Sequence, residues 1–238
     1  MEYTAQLFGI DATVVNFGGA TYFVPRYAAH RPVGQNLLSR RLHERPLHRF
    51  VREMFEDGEG ELIHAGTFIG DMLPSFSRKA GRVWAFEPVL ENYLFARTVT
   101  EVNALRNVNL FHAGLGPAPR TAQIHTGTID EHRGGGSRVV EDDAPDAPPA
   151  DRTGEVLQSF PMLAIDQFSF TDLRMIQLDV EGFELKVLSG AQETIAKHRP
   201  VIVLEDVSRE YASYMEGMGY RNDGRVGPNF LWRPAERG

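Results

Sequence analysis

The chain has 238 residues, 42% of them hydrophobic and 24% charged, a balance that supports one well-buried core with decorations. Its 25 Lys and Arg against 32 Asp and Glu give a net charge of −7, which argues against nucleic acid or another polyanion as a partner. No cysteine is present, so disulfides, thiolate nucleophiles and Cys-ligated zinc are excluded. With neither a basic, then apolar leader nor an apolar run near ~18 residues, no signal peptide and no membrane partner is expected. Cytoplasm is the simplest location.

In chain order, Thr13–Phe17 and Thr21–Pro25 flank Gly18-Gly19 and predict an N-terminal hairpin. From Asn36 to Phe55 the apolar residues recur at helical spacing, with Pro46 expected to end or kink one helix before another begins. Short apolar runs then alternate with helical patterns: Glu61–Ala65, Arg82–Phe86, Val108–Ala113, Met175–Leu178 and Val201–Leu204. That alternation predicts right-handed βαβ units and a parallel sheet. Residues 130–154, with three consecutive Gly, an acidic run and three Pro, predict a long loop. Glu184–His198 reads as one helix ended by Pro200, and Arg209–Met218 as another. Asn229–Trp232 closes a terminal antiparallel hairpin. The expected organisation is a single domain over 1–238, with a hairpin and helical lead-in over 1–58 and an α/β core over 59–238.

Gly66 and Gly70 follow the first core strand directly, where the missing side chain lets the backbone turn sharply and approach a ligand. Glu87 lies about twenty residues on, at the end of the next strand, where a carboxylate can accept two ribose hydroxyls. Two Gly spaced by four suit S-adenosylmethionine better than the three-Gly pyrophosphate loop of NAD binders. The cofactor-binding candidates are therefore His64, Ala65, Gly66, Thr67, Gly70, Asp71, Glu87, Pro88 and Ala113, with Asp179 bordering both cofactor and acceptor. The competing reading is a plain βα turn, with Glu87 capping the next helix.

Asp179 and Glu181 stand at the carboxyl end of one predicted strand, and Glu205 and Asp206 at the end of the next. Open α/β sheets bind ligands along that rim. Asp179, Glu181 and Glu205 are the candidates for a general base or for oxygen ligands to a divalent metal, which stays an open alternative. Asp179 is expected nearest the acceptor. The alternative for Asp179 and Glu181 is capping of the following helix. His112, His125 and His132 are further candidate bases near the rim or the long loop, and that loop is a candidate lid.

These blocks together resemble the FkbM family of methyltransferases, which carry a D-x-G-x-N-x-G loop, an F-E-P strand end, a D-x-E-G-x-E block and a P-x-x-x-x-E strand. The matches are Gly66 and Gly70, Phe86-Glu87-Pro88, Asp179-Val180-Glu181-Gly182-Phe183-Glu184, and Pro200 with Glu205. His64 and Thr67 depart from the family's Asp and Asn, so contacts to the methionine end of the cofactor are expected to be rearranged, with Asp71 compensating. The resemblance implies a Rossmann-like, doubly wound, seven-stranded, mostly parallel sheet with an antiparallel last strand. It also implies S-adenosylmethionine at the Gly loop, Glu87 on the ribose, and methyl transfer to a hydroxyl of a small molecule, natural product or glycan. A non-catalytic S-adenosylmethionine- or nucleoside-binding module or partner subunit, an NAD-dependent oxidoreductase and a homo-oligomer are the other readings left open.

Overall fold

A computed structural model describes residues 3–128, 137–140, 155–205 and 209–236. Strands β1 (Tyr3–Leu7), β2 (Ile10–Phe17) and β3 (Ala20–Pro25) form an antiparallel sheet in sequence order, one strand more than the expected hairpin. Gly18 and Gly19 both take left-handed φ at the β2–β3 turn, and Arg78 donates to their two carbonyls at 2.7 and 2.6 Å, tying the turn to the core. Helices α1 (Pro32–Leu38) and α2 (Arg45–Met54) follow. Pro46 sits in the first turn of α2, where its missing N–H has no partner to lose, so it starts a helix instead of breaking one.

The core continues with β4 (Glu61–Ala65), α3 (Leu73–Ser77), β5 (Arg82–Phe86), α4 (Leu90–Val102) and β6 (Val108–Phe111). Next come β7 (Gly114–Leu115), β8 (Arg120–Thr128), β9 (Arg138–Val140) and β10 (Glu155–Leu163). Then follow β11 (Leu173–Leu178), α5 (Glu184–Ser189), α6 (Gln192–His198), β12 (Val201–Leu204), α7 (Arg209–Gly217), β13 (Tyr220–Val226) and β14 (Asn229–Pro234).

The main sheet has seven strands in the order β13-β14-β12-β11-β4-β5-β6. The run from β12 to β6 is parallel, and β14 is antiparallel to β12. This is the class I methyltransferase arrangement expected from the sequence. Leu47, Val51, Phe76 and Ala96 from α2, α3 and α4 cover one face of the sheet. Val187, Ile195 and Met215 from α5, α6 and α7 cover the other. Burial on both faces is why Leu62, Ile63 and Ala65 make up most of β4. The N-terminal sheet packs on α4 through Phe95 and Val99, and Asn103 pairs with the backbone of Thr21 in both directions at 2.8 and 2.7 Å.

Three expectations need correction. Strand β6 ends at Phe111, short of Ala113, because Gly114 and Leu115 leave it to pair with β10. That pairing belongs to a second sheet, β7-β10-β8-β9, which the sequence reading lacked. Val139 and its neighbours, expected in the long loop, form β9 on its edge; residues 129–136 and 141–154, and with them the lid expectation, lie outside the described residues. Finally, the helix expected over Glu184–His198 is two helices. Gly190 packs so closely on the loop after β7 that a Cβ would lie 2.2 Å from the Gly116 carbonyl oxygen. Asp166 restarts the chain by accepting the N–H groups of Glu193 and Thr194 at 3.2 and 2.8 Å. Among the described residues no helix is long and apolar enough to cross a membrane.

Candidate active site

The sheet reverses its winding between β4 and β11, so their carboxyl ends frame a crevice. There Gly66 turns with φ +83° and lies so near β11 that a Cβ would fall 1.8 Å from the Asp179 carbonyl oxygen. Gly70, φ +82°, serves packing: its Cβ would meet Ala96 Cα of α4 at 2.8 Å. The first glycine holds the two strand ends together, and the second seats the loop against α4.

A cavity of about 260 Å³ opens at this crevice. His64, Ala65, Gly66, Asp71, Glu87, Pro88, Asp179, Glu181 and Glu205 of the sequence-derived candidates line it. Thr67, Gly70 and Ala113 stand behind the lining; the Thr67 hydroxyl donates to the His64 carbonyl at 3.3 Å.

Glu87 is buried at the end of β5. One of its oxygens accepts the Phe68 N–H at 2.8 Å, and the other accepts the Val89 N–H at 2.9 Å and the Asn92 amide at 3.4 Å. Burial still pushes its pKa up to about 7 against those donors. A bound group offering further hydroxyl donors would relieve that desolvation. Phe68 reaches Glu87 by taking a left-handed φ of 50°, uncommon for an aromatic residue.

Asp71 is also buried, its Oδ2 meets no hydrogen-bond partner among the described residues, and burial with the Glu44 charge behind it raises its pKa to about 7. His64 is 2% exposed. Its Nδ1–H donates to Gln177 Oε1 of β11, which leaves Nε2 as a lone-pair acceptor with no partner among the described residues; burial lowers its pKa to about 4.

Asp179 is held well above the usual carboxylate range, first by burial and then by Glu205, with Glu44 and Glu181 adding to it. Glu205 and Glu181 are exposed at the cavity mouth, and Glu181 takes a left-handed φ of 55°. Neither Asp179 nor Glu181 caps α5. Glu184 instead accepts the Val180 and Gly182 N–H groups at 3.2 and 3.4 Å, anchored by the Tyr211 hydroxyl at 2.7 Å. Asp206 lies outside the described residues. Among the described residues no three His, Asp or Glu side chains converge as a metal site.

The family model described as the methyltransferase FkbM domain matches residues 64–221, more than half of the chain. The chain belongs to the FkbM methyltransferase family. An FkbM methyltransferase of Methylobacillus flagellatus KT superposes with a TM-score of 0.49 at 19% identity, over 74% of this chain and 44% of that one, less than half its length. The precorrin-6y C5,15-methyltransferase of Geobacter metallireducens GS-15 gives 0.43 at 14% identity, over 78% of this chain and 85% of that one. An rRNA methylase from Streptococcus thermophilus gives 0.46 at 14%, over 81% and 98%. No curated protein matches the chain.

The FkbM match begins at His64, yet part of the cavity wall comes from before it. Arg31, Val33, His43 and Glu44 reach the cavity from the lead-in. Glu44 is placed by Asn229 of β14, whose amide donates to Glu44 Oε2 at 2.6 Å. On the apolar side, Leu115, Ile124, Val139 and Phe160 of the second sheet line the cavity. None of these was a candidate, because each reaches the cavity through tertiary folding alone. The candidate bases fare differently. His112 donates from Nε2 to the Pro88 carbonyl at 3.1 Å and packs on Tyr93 behind the lining. His125 neighbours the cavity-lining Ile124 on β8, and so projects from the opposite face. His132 lies outside the described residues.

Proposed function

We propose that this chain transfers the methyl group of S-adenosylmethionine to a hydroxyl oxygen of a small-molecule, natural-product or glycan acceptor. The carrying observation is Glu87: a carboxylate buried at the end of the second core strand, oriented by two backbone N–H groups and facing the cavity of an FkbM-family chain. The donor set fits the cofactor. Glu87 and Pro88 would hold the ribose, with Phe68, Val89, Ala65 and Gly66 lining the same cavity. Asp71 Oδ2, without a partner among the described residues, would take the methionine ammonium. His64, Thr67 and Gly70 belong to the strand end and loop that would carry these contacts, and Ala113 stands behind the lining.

When bound, S-adenosylmethionine supplies an electrophilic methyl group on a sulfonium. What the protein adds is position and proton handling, because in-line displacement depends on an oxygen held about 3–3.5 Å from its target. Asp179 is the base. Burial and the neighbouring Glu205 raise its pKa, so its carboxylate takes up a hydroxyl proton more readily than an ordinary one. Glu205 and Glu181 stand at the mouth, where the acceptor enters.

Calorimetric titration with S-adenosylmethionine, S-adenosylhomocysteine and NAD tests this reading, with Glu87→Ala alongside. The first two are expected to bind, NAD is not, and the variant should lose both. Failure of either adenosyl compound to bind the wild type would remove the reading's central support. Transfer of labelled methyl to a product whose new bond behaves as an ether then tests the oxygen acceptor.

A further inference from the structure

The cavity's charge is lopsided. Among the described residues six carboxylates line it (Glu44, Asp71, Glu87, Asp179, Glu181 and Glu205), whereas Arg31 is the one lining Arg or Lys. The two lining histidines do not redress this, since burial lowers the pKa of both His43 and His64. On the reading above, which this inference rests on, Glu87 meets ribose hydroxyls and Asp71 the cofactor ammonium. Glu44, Asp179 and Glu205 then have no Arg or Lys ion-pair partner among the described residues; His43 Nε2, 3.9 Å from Glu44 Oε1, is the basic group nearest to Glu44.

Glu44 is the hub of that remainder. Its charge acts on Asp71 and Asp179, and Glu205 acts on it in turn. It is held there in a left-handed backbone turn, φ 47°, by the Asn229 amide. Such a turn is strained for a non-glycine residue, so the surrounding structure imposes the position. A second observation points the same way independently of the acids. His64, one of the residues lining the same cavity, is buried, and its Nε2 meets no hydrogen-bond partner among the described residues. Carboxylates and an imidazole lone pair share one need, a donor-rich cation. An organic ammonium, with several N–H donors, meets that need.

We propose that the acceptor is an amino alcohol: its protonated amine is held by Glu44 and Glu205 beside His64, and its hydroxyl is presented to Asp179. A protonated amine has no lone pair, so it anchors the molecule while the hydroxyl oxygen remains the nucleophile. Because Glu44 lies outside the family-matched stretch, this preference belongs to this chain's own lead-in.

The test uses protein saturated with S-adenosylhomocysteine, so that the cofactor's own ammonium is already in place. Two matched pairs are titrated by ligand-observed NMR: glucosamine against N-acetylglucosamine, and 2-aminocyclohexanol against its N-acetyl derivative. At least one amine is expected to bind tenfold or more tighter than its acetylated partner, and Glu44→Gln, which keeps an oxygen for Asn229, should erase that preference. Equal affinity within both pairs, or no binding of either amine at tens of millimolar, overturns the proposal without needing the variant to fold. A preference that survives Glu44→Gln overturns the assignment to Glu44. If S-adenosylhomocysteine itself fails to bind, the methyltransferase reading falls, and the amine preference is read separately on the free protein.

Discussion

The two ends of the central strands treat buried carboxylates in opposite ways. At the amino end, Glu61 is buried but fully engaged: Trp84 Nε1–H and the Thr171 N–H donate at 2.7 Å each, and the Asp172 N–H at 3.4 Å. Burial would raise its pKa, yet these donors outweigh it and the net shift is downward. At the carboxyl end, burial outweighs the three donors of Glu87, Asp71 Oδ2 meets no partner among the described residues, and the half-buried Asp179 stands against Glu205, so all three are raised. Similar side chains in one sheet thus hold the fold at one rim and stay unsatisfied at the other. An under-satisfied rim is what a ligand-binding edge requires, because the missing donors arrive with the ligand.

The sharpest way to break this contrast is Asp179→Asn, which removes the base while keeping the shape. We expect kcat to fall about 10²–10⁴-fold, the range of a lost general base, with S-adenosylhomocysteine affinity moving far less, as steady-state kinetics and calorimetry would show. A loss of affinity matching the loss of kcat would make Asp179 a cofactor ligand and not the base. Glu87→Ala should weaken S-adenosylhomocysteine binding by roughly 30–150-fold, the equivalent of about 2–3 kcal/mol for charge-assisted hydrogen bonds.

Glu61→Gln probes the other rim. It should cost about 1–3 kcal/mol of stability in denaturant unfolding and leave cofactor affinity alone. The smallest effect belongs to Asp71→Asn, and here the sign matters. A carboxyl whose folded pKa is about 7 keeps its proton in the folded protein after the unfolded chain has lost it, so stability falls as pH rises from about 4 to 7. Asp71→Asn should therefore raise Tm by about 2–4 °C at pH 8, for each kcal/mol relieved, and by nothing near pH 4. A Tm gain that is the same at both pH values would show that Asp71 is not strained by its charge.

The strands buried on both faces were the most legible parts of the fold. β4, β5 and β12 begin and end where the sequence placed them, because strands covered by helices on two sides carry apolar runs: Leu62 and Ile63, Val83 to Phe86, and Val201 to Leu204. The second sheet was not legible for the converse reason. In β8, Ala122 and Ile124 face the core while Thr121 and Gln123 face out, a short alternation interrupted by segments with no periodicity. The motif residues of the site could be read because each follows a recognisable strand. Glu44 could not, since it owes its place to an amide 185 positions away in β14, and no local pattern encodes a left-handed glutamate.

The hydrogen bond between Glu44 and Asn229 joins the stretch before the family-matched region to the stretch after it, directly above the cavity. On the proposed reading, Glu87, which would hold the cofactor, and Glu44, which would hold the acceptor's amine, are thus written in different portions of the chain. Exchange or drift in the outer portions can retune what is modified while leaving the nucleoside machinery untouched. A lineage of such chains would be expected to diversify fastest where this bond is made.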